Sequence, residues 1–518
     1  NKLCGKKEKY NLPEIFMLGM AFLLIPLSAL SLWFPVNHYT LAIFFCIPLL
    51  YWIIRKRHLQ GILSAGKALI QNLTIPQKIF FLVSILSVLV FCIWCSVTVD
   101  ASYYHYQNIR WNEEFAIVPG LGNLEDRFAF NSNYMLLSAL LSFRSIFGEA
   151  IYQLQSVLFI CVMLWVLYEV VKSGFALSRL LLLFLLFIFF SLSGDALADT
   201  STDIIPNICI FYLIARLTLY PAAIKDKALL IVIVPLTLIT FKVSSAPIAL
   251  ISIIAFFYLL KGKQISSLSI LSVASILIIG LWLTRNAIIS GYLVYPLPEL
   301  DLFSFDWKMP EGIARLQQYY ILDYARGLLV DSVTFGFFFR AGSIMSIKLF
   351  SLNNVILVSF YLLIVLSPSF ILFVYHRKKP VLSGRFVVYL VALLTFIYWL
   401  ISAPDFRFAI GCICGLIFFI SFILVIYFNK ENHRFRLFGK GVCYTIIILM
   451  AMIALNRSKN YYNIITIESP NSEYTPATAL LKPYSIRYQA DFKKITSGFD
   501  EYHLNNNIII YLTKDEYG

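Results

Sequence analysis

The sequence predicts an all-α polytopic membrane protein, and three observations carry that prediction. Of its 518 residues, 60% are hydrophobic and only 14% are charged, with a mean hydropathy of +0.79, which lies outside the range of soluble domains. Apolar runs of about 20 residues, enough for one helical crossing of a bilayer, recur along the chain. The Lys and Arg residues behind the net charge of +14 fall in short clusters between those runs, as membrane proteins carry them. That distribution argues against nucleic acid as a partner. The nine cysteines show no disulfide framework and no zinc spacing. All except Cys4 lie in apolar runs, where a thiol packs as a small hydrophobe, and the CxxC of Cys92 and Cys95 reads as packing rather than as a redox pair.

Taken in order, spans are expected near 15–34, 37–54, 78–98, 150–171, 178–193, 204–220, 227–241, 244–260, 265–284, 353–375, 383–402, 409–428 and 441–455, about thirteen crossings. "CGKKEKYN" precedes the first run without a small-residue cleavage site, so that run is expected to stay as an anchor. Residues 59–74 set Ile62, Leu63, Leu69, Ile70 and Leu73 on one side of a helix, the pattern of an interfacial element. Residues 134–148 are short for a span, and 328–350, with Asp331, Arg340 and Lys348, read as lying flat. From 457 the composition shifts: "YYNIITI", "SIRYQADFKKI" and "NNIIIYLT" read as short strands of a small α/β appendage. The expected division is a bundle over 1–456 and a small domain over 457–518.

The basic clusters set the orientation. With the "KKEK" end in the cytoplasm, alternation leaves Arg55-Lys56-Arg57, Lys172, Arg216, Lys261 and Arg377-Lys378-Lys379 inside. The long polar loops 99–149 and 285–352, the segments 194–203, 241–245 and 403–408, and the tail then lie on the external face.

That face gathers ionisable groups. Asp100 directly follows a span, and Tyr103, Tyr104, His105, Asn108, Trp111, Glu113 and Glu114 follow it. Asp195, Asp199 and Asp203 are spaced four apart and would share one face if that segment were helical. Lys242, Arg285 with Asn286, and Asp405 with Arg407 lie at the ends of later spans. Each has a bland alternative. Asp100 can cap the helix beginning "ASYYHYQNIRW", Lys242 and Arg285 can anchor at the interface, and Asp405 and Arg407 can form an exposed pair of little energetic weight. The aromatic rings can belong to an interfacial belt. "GLGNL" lacks the lysine and strand-to-helix context of a phosphate loop. Together, acids and bases on one surface can hold an anionic headgroup beside a carboxylate that takes a proton.

"VTVDASYYHYQNIRW", with its acid right after a span, resembles the first external loop of GT-C-type membrane glycosyltransferases. More narrowly, "DASYYHYQNIRWNEEFAIVPGLGNL", "AFNSNY", "STDIIPN", "FKVSS", "WLTRNAIISGYLVYP" and "APDFRF", over residues 78 to 410, resemble a bacterial family of multi-spanning proteins found near surface-polysaccharide genes. The resemblance implies a GT-C-like bundle in a bacterial inner membrane. It also implies inverting transfer of a sugar from polyprenyl phosphate or pyrophosphate to a hydroxyl on a glycan, lipid or protein acceptor. It assigns the base to Asp100, with His105 or Glu114 as substitutes, and the leaving phosphate to Lys242, Arg285 and Arg407. Tyr104, Asn131, Asp199, Asp203, Asn286 and Asp405 are the expected sugar contacts, and a divalent cation (Mg or Mn) is a further candidate for charge on the phosphate. One departure stands out: many GT-C enzymes have two adjacent acids, whereas Ala101 follows Asp100. An O-antigen polymerase or ligase and a lipid-linked oligosaccharide flippase are the rival readings. A transporter, however, would place ionisable groups at mid-membrane, where this chain has almost none.

Overall fold

The computed structural model describes residues 10–71, 73–92, 100–147, 150–326, 352–377, 382, 384–428, 436–468, 499–503 and 509–513. The first helices are α1 (Leu12–Leu30), α2 (His38–Ile54), α3 (Lys56–Gln71) and α4 (Ile75–Cys92). One wide, π-type turn, Ala101–His105, runs directly into α5 (Tyr106–Glu114), and α6 (Asn133–Leu140) and α7 (Arg144–Phe147) follow. The middle of the chain forms α8 (Leu154–Lys172), α9 (Leu177–Ser193), α10 (Ile204–Leu219), α11 (Ala223–Asp226) and α12 (Ala228–Phe241). A tight helical stretch, Val243–Ala249, leads into α13 (Leu250–Lys261), and then come α14 (Ile265–Ser290) and α15 (Glu311–Arg326). Last are α16 (Leu352–Arg377), α17 (Arg385–Ser402), α18 (Ile410–Tyr427) and α19 (Arg436–Glu468), with β1 (Phe499–His503) paired antiparallel to β2 (Ile509–Thr513).

Among the described residues, nine helical segments are long and apolar enough to cross a membrane: those in α1, α4, α8, 243–261, α14, α16, α17, α18 and α19. The other four expected spans coincide with shorter apolar helices, α2, α9, α10 and α12. Their 14 to 17 residues fall short of a perpendicular crossing. Side chains such as Ile43, Phe45, Ile253, Phe257, Ile276, Val365 and Leu366 point away from the protein, a surface that suits lipid contact.

Three local expectations meet the structure differently. Residues 59–74 fall largely in α3, which is helical as expected. The stretch 134–148 is not a free-standing element: every residue of α6 is buried, Asn133 and Ser138 included, with α1, α5 and α12 packed around it. "YYNIITI" is not a strand but the end of α19, which continues unbroken past 457 to Glu468. Adding residues to an existing helix costs less than nucleating a new element, so β-branched residues there are carried along. Residues 328–350 and "SIRYQADFKKI" lie outside the described residues.

Two ion clusters mark the ends of the bundle. Glu14, fully buried, accepts from Arg216 Nε at 3.0 Å and pairs with Lys227. Asp203 pairs with Lys242. Lys227 and Lys242 flank α12, and the 15 residues from one to the other rise about 22 Å. Asp203 and Arg216 flank the apolar length of α10 in the same way, about 20 Å apart. The charges therefore sit at the two ends of an apolar slab.

The Asp203 end is held by two close approaches between α10 and α18. "GCICG" on α18 is a G-xxx-G pair, the spacing that lets two membrane helices touch backbone to backbone. A Cβ on Gly411 would lie 2.6 Å from the Asn207 carbonyl carbon and 2.7 Å from its Cα, and one on Gly415 would meet Ile214 Cδ1 at 2.8 Å. The contact also carries hydrogen bonds: Gly411 N–H donates to Asn207 Oδ1 at 2.8 Å, and Asn207 Nδ2 donates to the carbonyls of Asp203 and Arg407, each at 2.9 Å. One buried asparagine thus fixes the start of α10 against the turn that carries Arg407.

Candidate functional site

Asp100 stands just ahead of the π-type turn, in helical backbone (φ −61°, ψ −37°), and its side chain makes no capping hydrogen bond. Capping alone is thus not its role. Its oxygens face two arginines instead: Arg407 Nη1 donates to Oδ2 at 3.1 Å, and Arg127 Nη1 lies 3.8 Å from Oδ1. Burial raises the Asp100 pKa, but the opposing charges of Arg407 and Arg127 outweigh it, so the carboxyl is held below its usual range.

Arg407 sits in the short turn Phe406–Phe408 between α17 and α18. Asp405 starts that turn, accepts the Arg407 backbone N–H at 3.1 Å, and lies 3.2 Å from Arg407 Nε. Burial lowers the Arg407 pKa, and Asp203, Asp405 and Asp100 more than reverse that, so the guanidinium stays charged. Lys242, at the end of α12, pairs with Asp203 and lies over the Phe408 ring, 3.5 Å from its centroid. The pair Asp405 and Arg407 is therefore not an isolated surface contact. It belongs to a partly buried network.

His105 closes the other wall. It is 3% exposed, its Nδ1 is 3.2 Å from Thr200 Oγ1, and its Nε2 is buried with no hydrogen-bond partner among the described residues. Burial pushes its pKa down to about 4, with the nearby carboxylates only partly opposing, so the ring is neutral near pH 7. Asp199, also fully buried, accepts the Thr200 N–H at 2.6 Å.

These groups line one cavity of about 70 Å³: Asp100, His105, Asp199, Asp203 and Arg407, with apolar walls from Leu192, Ile204, Phe406 and Ile410. On this measure a cavity needs about 10–15 Å³ to hold one water, so the space takes several waters. Lys242 faces an adjoining crevice that shares Asp203.

Several expected site residues lie elsewhere. Glu114 is 42% exposed and paired with Arg110 one helical turn back, at the far end of α5 from His105 and outside the lining of the Asp100 cavity. Arg285 and Asn131 belong to a second cavity of about 20 Å³. Asn286 is buried beside Arg285, its Nδ2 lacking a hydrogen-bond partner among the described residues. The three-carboxylate face does not form: after the turn Gly194–Ala198 the backbone is extended at Asp199 (φ −121°, ψ −174°), which breaks the helical spacing. Tyr104 stays close to the site, its ring 5.5 Å from the Arg127 guanidinium and 4.3 Å from His105. Burial and the nearby Asp100 and Asp203 raise its pKa. "GLGNL" packs against Trp307 and does not line the Asp100 cavity. Among the described residues, no three His, Cys, Asp or Glu side chains are placed to hold a metal ion.

Arg127, Thr200, Asn207 and the Gly411–Gly415 pair were not singled out by the sequence. Arg127 carried a signal, since it lies within a run of motifs after Asp100. The glycine pair had its spacing. Residues 1–414 match a family described as a domain of unknown function, DUF8201. The chain belongs to the DUF8201 family. No curated protein and no solved structure matches it. The match ends four residues beyond Ile410, so in this DUF8201 chain it takes in every residue of the Asp100 cavity.

Proposed function

We propose that this chain is a membrane glycosyltransferase that takes its donor sugar from a polyprenyl phosphate or pyrophosphate and transfers it, with inversion, to an acceptor hydroxyl. The observation that carries this reading is the meeting of Asp100 and Arg407, 307 residues apart in sequence, at one cavity at the end of an apolar bundle. Inverting transfer needs a carboxylate and a cation on one surface. The acceptor oxygen bonds to the anomeric carbon as the bond from that carbon to the phosphate oxygen breaks. The phosphate leaves with the electron pair, and the hydroxyl proton passes to Asp100.

The resting pair also supplies a gate. While Arg407 holds Asp100, the carboxylate is ionised but a poor base. A donor phosphate competes for Arg407, whose planar fork matches phosphate oxygens, and drawing it away raises the basicity of Asp100 at the moment of need. Lys242, on the adjoining crevice, adds a point charge to the same phosphate. The small cavity fits this assignment, since only the reacting oxygens need enter it while the rings remain at its mouth. His105, neutral and buried, shapes the wall through its contact with Thr200.

We further infer thirteen crossings, the nine long segments and the four short apolar helices, with the N-terminus cytoplasmic and the Asp100 end external in a bacterial inner membrane. The basic loops support that orientation. Ion pairs at both ends and apolar centres between them support chemistry on one face rather than translocation. The test is turnover by the purified chain in lipid nanodiscs, offered a panel of polyprenyl-phosphate sugars with released polyprenyl phosphate as readout. Donor cleavage that depends on both Asp100 and Arg407 supports the proposal, and flipping of intact donor without cleavage overturns it.

A further inference from the structure

Arg285 presents a different problem from Arg407. It is 3% exposed, yet all three of its bonds go to neutral atoms: Nε to Asn131 Oδ1 at 3.3 Å, Nη1 to Ser31 Oγ at 2.5 Å, and Nη2 to Asn112 Oδ1 at 2.9 Å. No carboxylate pairs with it among the described residues. Burying a charge without a counter-charge is expensive, and folded chains normally supply one. A guanidinium has five N–H donors, so after these three bonds each terminal nitrogen still has one to give.

Arg285 lines the second cavity, whose lining combines the amides of Asn108, Asn112 and Asn131 with the rings of Trp111, Phe128 and Phe130. The amides are themselves ordered. Asn112 Nδ2 donates to Asn108, Asn131 Nδ2 donates to the Trp282 carbonyl at 3.0 Å, and Trp282 Nε1 returns a bond to the Asn131 carbonyl at 2.7 Å. The space, about 20 Å³, accommodates one water-sized group, such as a single oxyanion oxygen. His105, Asn108 and Asn112 are spaced i, i+3 and i+7 along one helix and share a face. The Asp100 cavity and this one therefore lie along the same side of it.

We propose that the Arg285 cavity is a second binding site, separate from the Asp100 cavity, which takes an oxyanion, carboxylate or phosphate, borne on a sugar. Resting on the glycosyl-transfer reading, this site holds the acceptor, which makes the acceptor an acidic or phosphorylated glycan. The uncompensated charge selects the anion, one oxygen of which enters the cavity while the sugar stays at its mouth.

The probes are glucuronate, glucose 1-phosphate, inorganic phosphate and glucose, titrated into the full chain in nanodiscs by calorimetry and by thermal stabilisation. Glucuronate or glucose 1-phosphate should bind and glucose should not. Response to the sugar anions but not to inorganic phosphate marks a glycan site, whereas inorganic phosphate binding as tightly as both sugars overturns the sugar assignment. Arg285→Gln should weaken binding at least about ten-fold, the scale of one charge-assisted hydrogen bond, and unchanged affinity refutes the site. Should Arg285→Gln fail to fold, Asn112→Asp gives an independent answer. It sets an internal carboxylate where an amide oxygen now meets Arg285, so the ligand-free melting temperature should rise and stabilisation by added anion should vanish. Anion binding that persists in Asn112→Asp refutes the proposal. Asp100→Asn should keep anion binding, which separates failure of this site from failure of the catalytic assignment.

Discussion

Replacing Gly411 with alanine perturbs a backbone contact that aligns α10 with the turn carrying Arg407. The new Cβ would stand 2.6 Å from the Asn207 carbonyl carbon, roughly 0.8 Å inside the 3.4 Å at which ordinary contact begins. The obstacle is backbone, so no rotamer change relieves it, and α10 and α18 must separate. Overpacking of this kind costs about 1–3 kcal/mol, and straining the Gly411 to Asn207 bond adds about 1 kcal/mol. Alanine's better helix propensity returns about 1 kcal/mol, leaving a net loss of about 1–3 kcal/mol. Gly415→Ala is the matched control, because its Cβ meets the movable side chain of Ile214 and its net effect should fall within about 1 kcal/mol. The same parting displaces Arg407 relative to Asp203 by a large fraction of an ångström. Misplacement near 1 Å can cost about 100-fold in rate. Thermal melting in detergent and donor turnover should therefore both fall for Gly411→Ala and stay near wild type for Gly415→Ala. Equal melting temperatures and equal turnover for the two variants would refute the role given to this helix contact.

Lys242→Met leaves Asp203 largely buried without its cation and should destabilise the chain by about 3 kcal/mol, while Lys242→Met with Asp203→Asn should recover most of that in chemical denaturation. His105 titrates near 4 in the folded chain and near 6.5 unfolded, so the unfolded state binds the extra proton between those values. Stability should be level above pH 6.5 and fall as pH drops toward 4, by about 3 kcal/mol in all. His105→Gln should flatten that limb in melts taken across the window. Glu14→Gln removes the carboxylate between Arg216 and Lys227 at the opposite end of the bundle. It should cost about 3–5 kcal/mol of stability and leave donor affinity, measured by calorimetry on the surviving folded fraction, unchanged.

The apolar architecture was legible because span length and basic clustering follow directly from the bilayer, and every expected span with described residues is matched by an apolar helix. The end of α19 was misread because short β-branched runs resemble strands, while a helix already under way is extended cheaply. At the site, Asp100, His105 and Arg407 could be named from their positions at span ends. Their pairing could not, since it depends on which spans touch. Arg285 illustrates the same point: it reads like Arg407 in sequence, and only packing shows that Arg407 pairs with the carboxylates of Asp100 and Asp405 while Arg285 pairs with none among the described residues. Asn207 closes the "STDIIPN" motif, but its role was hidden, because a single buried amide in an apolar helix carries meaning only through the backbone atoms it reaches.

Turnover of a polyprenyl-phosphate sugar by Asp100→Asn in nanodiscs tests the central proposal most directly. Asparagine keeps the shape and can still accept from Arg407, but it cannot take the hydroxyl proton. Turnover should drop by about 100- to 10,000-fold, with melting temperature and donor affinity near wild type. Turnover within a few-fold of wild type would contradict the assignment of Asp100 as the base.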